Sequence, residues 1–563
     1  MDTVTNNRLG RSLGLLVILM AAITWLPWLS LPLFNTKGEP REAIVAVSML
    51  QSGNWVLPVS MGADIPYKPP MLAWLIALFS LPAGHVTEFT SRLPSALAAI
   101  FLVWSTYSFF RRHDGRSVVA ALASLLLMTS FEVWRAASAC RVDMVLTAAI
   151  VGSIYALYNW LARGMRGIPW AAVPLLTVAV LTKGPVGFII PPLCLWLYNW
   201  CRPRDIRRQW RLTWLLAVTV LLSSLLPALW YVLAARQGGD AFLDLVYEEN
   251  IGRATGTMSY ESHVNGPFYN LMTLASGMLP YTLAILLCCF AVKWRGIGHR
   301  FIAWWRTPGR GEVRVFSLVS ALTVILFYTI PSSKRSVYIL PMYPFVAYGV
   351  TLAILWLAAR SRRLAVSFAV AMGCVAAIVG LVGMFGPFVP DKFLKALPLV
   401  HEWLCHPAAV VMAILCFGVA LVLLMNVGKL RGRFILAASI AGVCVSLWTL
   451  SSGILPGVLN AKSDLPAARA AQAVTLPDEH IYQFVDGPLL RFYTVNFYLS
   501  DRVRLFGAPG MPSHGVLLVS EKDLDAWRQN FGKDYDLSEP LWKSGRKSCD
   551  TKSPVLLIPF FRH

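Results

Sequence analysis

Long apolar runs separated by short basic loops dominate this 563-residue chain. A helix that crosses a membrane needs about 20 mainly apolar residues. The pattern predicts a polytopic α-helical membrane protein with about 13 spans, the first being a retained helix rather than a signal peptide. The predicted spans are 13–34, 93–110, 117–133, 144–162, 169–182, 185–200, 213–235, 269–292, 315–331, 337–358, 364–388, 408–427 and 434–455. The runs at 169–182 and 185–200 are short, so they can equally form one broken or re-entrant element.

The composition supports a membrane protein, and the distribution of charge predicts which loops face the cytoplasm. Apolar residues make up 56% of the chain and charged residues 14%, whereas soluble proteins carry about a quarter charged residues. The net charge of +21 is concentrated in loops on the side of the N-terminus, so it indicates membrane topology rather than nucleic-acid binding. The positive-inside rule therefore predicts a cytoplasmic N-terminus. The ten cysteines lack paired spacing and predict no disulfide framework.

The chain changes character near residue 459. Short β-type runs follow, HIYQFVD, RVRLFG, GVLLVS and SPVLLIPF, with the helical stretch EKDLDAWRQNF among them. We therefore predict a transmembrane domain over 1–458 and a small α/β domain over 459–563, on the outer face.

The first outer loop, 35–92, holds a charge cluster immediately after the first apolar run. The sequence GEPREA places Glu39, Arg41 and Glu42 there, and YKPP adds Lys68. The apolar run at 71–81 is too short to span a membrane, which predicts helices that lie at the interface.

Three further outer stretches contain candidate chemistry. Asp143 begins a predicted helix, where it is either an N-terminal cap or a functional carboxylate at the membrane rim. His263 stands among the acids of segment 247–270, as a hydrogen-bonded histidine or a metal ligand. Lys334 and Arg335 oppose the positive-inside bias, as Lys183 does, and this favours phosphate binding over topological anchoring.

Carboxylates among cations beside a bilayer suit a reaction on a lipid phosphate. Cations neutralise the phosphate leaving group, and a carboxylate orients or deprotonates the attacking group. The residues therefore predict a transferase that uses a lipid-linked donor. The alternatives left open are local salt bridges, contacts with lipid headgroups, or a lipid transporter, although a transporter should carry its charges near mid-membrane.

Several ordered motifs carry a family resemblance. They are GEPREAIVAVSMLQSGNWVLP, YKPPMLAW, SRLPSALAA, RVDMVLTA, LTKGPVGFIIPP, GPFYNLMTLASGMLPYT and SSKRSVYILPMYPFVA. Together they resemble the bacterial ArnT-like branch of the integral-membrane glycosyltransferases, the GT-C superfamily related to the protein O-mannosyltransferases. The resemblance implies an undecaprenyl-phosphate sugar donor and transfer at the outer face of the bacterial inner membrane. In the aminoarabinose transferases the sugar is 4-amino-4-deoxy-L-arabinose and the acceptor is a lipid A phosphate of lipopolysaccharide.

The resemblance also implies roles for individual residues. The family's first-loop aspartate is Gly38 here, so the catalytic role is predicted for Glu39, with Glu42 and Asp143 as alternatives. Lys68 matches the lysine that holds the donor phosphate. The predicted further phosphate-binding residues are Arg41, Lys183, Lys334 and Arg335.

The same resemblance bears on metal binding and on the acceptor. The family's metal-ligating glutamate is Tyr67 here, so His263 would be left as a single ligand and no cofactor is required. The prediction is thus a polyprenyl-phosphate-dependent glycosyltransferase of the cell envelope. Protein or glycan O-glycosyl transfer with the same donor, and lipid-linked sugar transport, remain the alternatives.

Overall fold

The computed structural model describes residues 2–201, 205–252, 255, 263–292, 295–296, 310–390, 398–487 and 490–563. Its first ten helices are α1 (Asp2–Trp25), α2 (Pro40–Ser52), α3 (Met71–Ser80), α4 (Glu88–Asp114), α5 (Ser117–Thr129), α6 (Phe131–Ala137), α7 (Val142–Ala162), α8 (Ala172–Lys183), α9 (Val186–Trp200) and α10 (Ile206–Tyr247). The later helices of the bundle are Tyr269–Gly277, Tyr281–Ala291, Arg310–Thr329, Tyr343–Arg360, Arg362–Phe385, Pro398–Leu404, Pro407–Asn426, Arg433–Thr449 and Leu455–Asn460.

The predicted class of polytopic membrane protein is confirmed. Within the described ranges, nine helices are long and apolar enough to cross a membrane, or up to 11 if each of two bent pairs counts as one span. The predicted runs 169–182 and 185–200 form α8 and α9, which are shorter apolar helices. The count of 13 spans therefore stays a prediction.

Helix α7 lies at the centre of the bundle, because 89% of its apolar stretch is buried against other helices. The same fraction is only 28% for α1 and for the α10 span, which are peripheral. Aromatic stacking ties the centre together, with the Phe109 and Tyr155 rings 4.1 Å apart. The start of α7 is therefore a buried position, and it carries Asp143.

The first loop folds into α2 and α3, as expected for segments too short to span. Their apolar faces share one core with the tail of the chain, in which Ile44 and Ile76 pack with Tyr493 and Phe497. Proline at the first position of α2 suits a helix start, and Gly53 ends the helix in a left-handed conformation at φ 69°.

The tail forms the predicted small α/β domain. Its six-stranded sheet has the order β2-β1-β3-β6-β4, with β5 pairing with β6. Strand β1 is parallel to β2 and β3, and β3 is antiparallel to β6. The strands are β1 (Ile481–Phe484), β2 (Val503–Leu505), β3 (His514–Ser520), β4 (Tyr535–Leu537), β5 (Trp542–Lys543) and β6 (Val555–Arg562), and the helices are Leu465–Val474, Tyr493–Tyr498 and Leu524–Phe531. The boundary at 458/459 stays a prediction, since helix Leu455–Asn460 runs through it.

Hydrogen bonds fix this domain on the first loop. The Asp501 carboxylate accepts from the Met61 backbone N–H at 2.8 Å and from the Ser48 hydroxyl at 2.9 Å. The Phe34 backbone N–H donates to the Tyr498 hydroxyl at 3.0 Å. The sheet domain and the first loop therefore stand together over the same end of the helix bundle.

Candidate functional site

Glu39 is held in a buried ion pair. Its two carboxylate oxygens accept from Nε and Nη2 of Arg92 at 2.9 and 3.1 Å, and the Cys140 backbone N–H donates to Oε1 at 2.9 Å. Burial alone would raise the pKa of Glu39, but the charge and hydrogen bonds of Arg92 outweigh it and hold the pKa below its ordinary value. Both oxygens are thus committed to partners within the protein.

Glu42 lies one turn further along and has different partners. It forms a close ion pair with Lys68, and Arg41 lies 3.7 Å from the same oxygen. Burial opposes ionisation, yet Lys68 and Arg41 together keep the pKa of Glu42 below its ordinary value. Burial also lowers the pKa of Lys68, while Glu42 opposes that shift.

Tyr67 underlies this charge cluster. The Arg41 guanidinium and the Lys68 ammonium stand 5.1 and 5.4 Å from the centre of its ring, within the range of cation–π attraction. Tyr67, which stands where the family has a glutamate, therefore stabilises two cations through its ring.

Asp143 pairs with Lys183 at 2.6 Å, although 40 residues separate the two in sequence. The N-cap position of α7 is Arg141 and no side chain caps the helix, so the cap interpretation of Asp143 is wrong. The Lys183 ammonium also stands 4.2 Å from the centre of the Tyr338 ring. Lys183 reaches this place because α8 ends there and Gly184, at φ 73°, turns the chain into α9.

Two cavities meet at Lys68. The lysine cavity, of about 260 Å³, is lined by Lys68 and Lys183, and its walls include Val186, Ile189 and Phe327. The narrow first-loop cavity, of about 50 Å³, is lined by polar groups that include Arg41, Glu42 and Asp64. Tyr67, Lys68 and Pro69 form the wall that the two cavities share. Glu42 lines the first-loop cavity, whereas Glu39 and Asp143 are in the walls of neither of these two cavities.

Arg141 occupies the space beside Gly38. A Cβ atom at Gly38 would lie 2.2 Å from Nη2 of Arg141, so the position of the family's aspartate is filled by a guanidinium. The charge of Arg141 helps to lower the pKa values of Glu39 and Glu42. In the part of the chain that the structure describes, no carboxylate oxygen lies within 4.0 Å of it. The sequence placed Arg141 next to Asp143 but gave no signal that it faces Gly38.

The remaining predicted cations lie beside these cavities rather than in their walls. Lys334 is 5% exposed, and its ammonium donates to the Asn265 carbonyl at 3.1 Å. The half-buried Arg335 lies within electrostatic reach of Lys37. Phosphate binding by Lys334 and Arg335 stays a prediction.

His263 is placed by backbone pairing, since its carbonyl accepts from the Lys334 backbone N–H at 3.1 Å. Among the described residues, the one group of three potential metal ligands lies elsewhere, at Asp464, Cys549 and Asp550. Metal binding by His263 therefore stays a prediction, and we derive no step through a metal ion. Two other charged residues of segment 247–270, Arg253 and Glu261, lie outside the described residues. Glu249 of the same segment lines the lysine cavity.

The sheet domain also contributes to the site, which sequence reasoning missed. Tyr493 lines the first-loop cavity and donates to the Asp64 carboxylate at 3.3 Å, and Arg491 lies 3.5 Å from Asp64. Burial raises the pKa of Asp64 above its ordinary value. No local pattern links residues more than 400 positions apart, so only the docked domain shows this contact.

Comparisons with known proteins agree with this architecture. Residues 67–231 match the dolichyl-phosphate-mannose-protein mannosyltransferase family. The chain is 28% identical over 350 residues to the undecaprenyl phosphate-alpha-4-amino-4-deoxy-L-arabinose arabinosyl transferase 2 of Proteus mirabilis, covering 60% of this chain and 58% of that protein. It is 25% identical over 523 residues to the corresponding arabinosyl transferase of Shewanella sediminis, covering 90% and 88%.

The alignments differ in extent. The chain spans between 58% and 64% of the length of several curated relatives that it matches. The fold agrees over nearly the whole chain with the crystal structure of ArnT from Cupriavidus metallidurans bound to undecaprenyl phosphate, with a TM-score of 0.68, 19% identity, and coverage of 96% of this chain and 97% of that chain. The chain is therefore a multi-pass membrane protein that is similar to the arabinosyl transferases and shares the fold of ArnT, a GT-C fold.

Proposed function

We propose that this protein is a glycosyltransferase that moves a sugar from a polyprenyl phosphate donor to an acceptor in the cell envelope. The observation that carries the proposal is the lysine cavity, which both Lys68 and Lys183 line, each paired with a carboxylate. Two ammonium groups on a mainly apolar cavity, which Glu249 also lines, suit a phosphate that is attached to a hydrocarbon chain.

The walls of the lysine cavity suit the lipid part of this donor. Ile189 of α9 and Phe327 of helix Arg310–Thr329 are apolar, and Ile189 is 38% exposed on the surface of the bundle. A prenyl chain can therefore enter from the bilayer while its phosphate stops at the lysines. The names of the arabinosyl transferase relatives support undecaprenyl phosphate as this lipid and aminoarabinose as the sugar.

The acceptor class follows from the first-loop carboxylates. The pKa values of Glu39 and Glu42 are both held below their ordinary values by neighbouring cations, which makes the two groups weak bases. A general base works best when its pKa lies near the working pH. We therefore favour an acceptor whose oxygen is already ionised, such as a lipid A phosphate, over a hydroxyl of a glycan or protein.

The reaction is a displacement at the anomeric carbon. The bond from this carbon to the donor phosphate oxygen breaks, its electron pair leaves with the polyprenyl phosphate, and the acceptor oxygen forms the new bond. Lys68 and Lys183 neutralise the departing phosphate. Glu42 orients Lys68 and offers its negative charge to the positive charge that develops on the sugar, and Arg141 steers the acceptor anion.

The location follows from the charge distribution of the sequence. With basic loops in the cytoplasm, the first loop, the cavities and the sheet domain of 459–563 face the periplasm of a bacterial inner membrane. The donor phosphate and lipid A would then meet in the outer leaflet.

A reconstituted assay tests this function. Purified protein in proteoliposomes receives undecaprenyl-phosphate aminoarabinose and lipid A, and mass spectrometry follows the modified lipid A and the released undecaprenyl phosphate. We expect turnover by the native protein and a loss of about a hundredfold or more in K68A and K183A. The control is K533A, which removes an exposed lysine of the sheet domain.

Two results would overturn the proposal. If no envelope acceptor is modified while the lipid-linked sugar crosses the membrane, the protein is a transporter. If K68A and K183A turn over as fast as K533A, the lysine cavity is not the donor site. Transfer to a peptide or glycan hydroxyl but not to lipid A would instead establish the O-glycosyltransferase alternative.

A further inference from the structure

A separate cavity of about 800 Å³ lies at the end of the bundle opposite the candidate site. Arg112 and Arg163 line it, and each is 20 residues further along its helix than a residue of the site, Arg92 on α4 or Asp143 on α7. At 1.5 Å per residue this separation is about 30 Å, the thickness of a bilayer core. The cavity is thus independent of the lysine cavity and of the function proposed for it.

Small residues create the space. On α4 the cavity is lined by Ser105 and Ser108, and on α7 by Gly152 and Ala156. These positions recur at intervals of three and four residues, so each pair lies on one face of its helix. A Cβ atom at Gly152 would lie 3.2 Å from the Phe101 ring, so a larger side chain at this position would have little room.

Its charge is one-sided. Arg112, Arg163 and Arg166 line the cavity, and its lining includes no aspartate or glutamate. Arg112 donates a long hydrogen bond to the side-chain oxygen Oδ1 of Asn159 at 3.5 Å. Over the described ranges, no carboxylate oxygen lies within 4.0 Å of any of the three guanidinium groups. The cavity therefore presents three positive charges with no compensating acid among the residues that the structure describes.

Tryptophans frame the same cavity. Trp104 is 42% exposed and Trp170 is 65% exposed, and both line it together with Trp160. Tryptophan is enriched where a protein meets the headgroup layer of a membrane, since its ring is apolar and its N–H is polar. The cavity mouth is thus placed at the level of lipid headgroups.

We infer that this cavity binds an anionic phospholipid of the leaflet opposite the candidate site. The headgroup phosphate would be held by Arg112, Arg163 and Arg166, because guanidinium groups bind phosphate oxygens in pairs. One acyl chain would lie along Phe101 and Trp104, over the small residues of α4 and α7. A free anion would leave this apolar part of the groove uncovered, which favours a lipid.

Native mass spectrometry of the full-length protein tests this inference. The delipidated protein is titrated with phosphatidylglycerol and, separately, with zwitterionic phosphatidylcholine. The variants are R163A/R166A, the charge-retaining R163K/R166K, and the control R207A/R208A, which removes two exposed arginines outside the cavity. Melting temperatures confirm that all variants are folded.

We expect phosphatidylglycerol to bind the native protein and the control equally, and R163A/R166A about tenfold to thirtyfold more weakly. R163K/R166K should retain most of the binding. Equal binding of phosphatidylcholine, or R163A/R166A binding as tightly as the control, would overturn the inference. Displacement of the lipid by inorganic phosphate would show a site for free anions instead.

Discussion

Glu39 and Glu42 stand one helical turn apart at the start of α2, yet their surroundings assign them different roles. Glu39 gives both oxygens to Arg92, which is 2% exposed and also donates to the Leu29 carbonyl at 2.8 Å. Glu42 holds Lys68 and lines the first-loop cavity. We therefore propose that Glu39 supports the structure and that Glu42 contacts the substrate, and the catalytic role of Glu39 stays a prediction.

The pair E42Q and E39Q separates these roles. E42Q removes the charge that orients Lys68, so we expect turnover to fall by about a hundredfold or more with little change in melting temperature. E39Q leaves a buried guanidinium without its ion pair, which should cost about 3–5 kcal/mol of stability. Kinetics and thermal melting are measured for both, with E539Q, an exposed glutamate, as the control. An E39Q protein that melts normally but has no turnover would return the reacting role to Glu39.

Gly38 offers a test of Arg141 that leaves Arg141 itself in the chain. A Cβ atom at Gly38 would collide with the guanidinium of Arg141, whose flexible end can move away at low cost. We expect G38A to melt like the native protein but to match R141A in a raised KM for the anionic acceptor. If G38A had native kinetics, acceptor binding would not depend on the place of the Arg141 guanidinium beside Gly38.

Helices α8 and α9 show how one element positions a functional group. The chain breaks at Gly184, and α9 then returns so close to α8 that Gly187 faces the backbone of Ala179 and Val180. This contact fixes the end of α8, where Lys183 stands.

Substitution of Gly187 should therefore disturb the site from a distance. A Cβ atom there would lie 2.5 to 2.7 Å from backbone atoms of Ala179 and Val180, which cannot yield as a side chain can. We expect G187A to lose about 1–3 kcal/mol of stability and to lose turnover. The control is G349A, because a Cβ atom at Gly349 meets nothing within 4 Å. If G187A and G349A behaved alike in melting and turnover, tight α8–α9 packing would not be what positions Lys183.

At the scale of the whole molecule, a buried carboxyl group lies where the sheet domain meets the first loop. Asp550 accepts from the backbone and hydroxyl of Thr494 at 2.8 and 3.1 Å, and lies within electrostatic reach of Asp464 and Lys37. Burial, with Asp464 next, raises the pKa of Asp550 to about 7. The folded protein therefore holds a proton there that the unfolded chain releases near pH 4.

This raised pKa predicts a pH dependence of stability. Between the ordinary pKa of 3.8 and about 7 the folded state binds more protons than the unfolded state, so the contribution of Asp550 to stability falls as the pH rises through this window. We expect D550N to remove this part of the slope when melting temperature is measured from pH 5 to 8. An identical slope in D550N and the native protein would contradict the assignment.

Local patterns account for much of the fold. The apolar runs that predict membrane helices coincide with helices in the structure, and the runs HIYQFVD and GVLLVS are the strands β1 and β3. Strands β4 and β5 were missed, and β5, with two residues, is too short to show an alternating pattern. The cap interpretation of Asp143 failed because the spacing of a carboxylate at a helix start cannot reveal a lysine on another helix.

The sequence by itself determined the membrane class, the helical runs, the α/β tail and the residue types at the site, because hydrophobic periodicity and motifs are local. Only the tertiary structure decided which carboxylate meets which cation. The partners of Glu42, Asp143 and Glu39 lie 26, 40 and 53 residues away. The fold alone brings such distant side chains within hydrogen-bonding reach, and that pairing separates a carboxylate that holds the structure from one that lines a cavity.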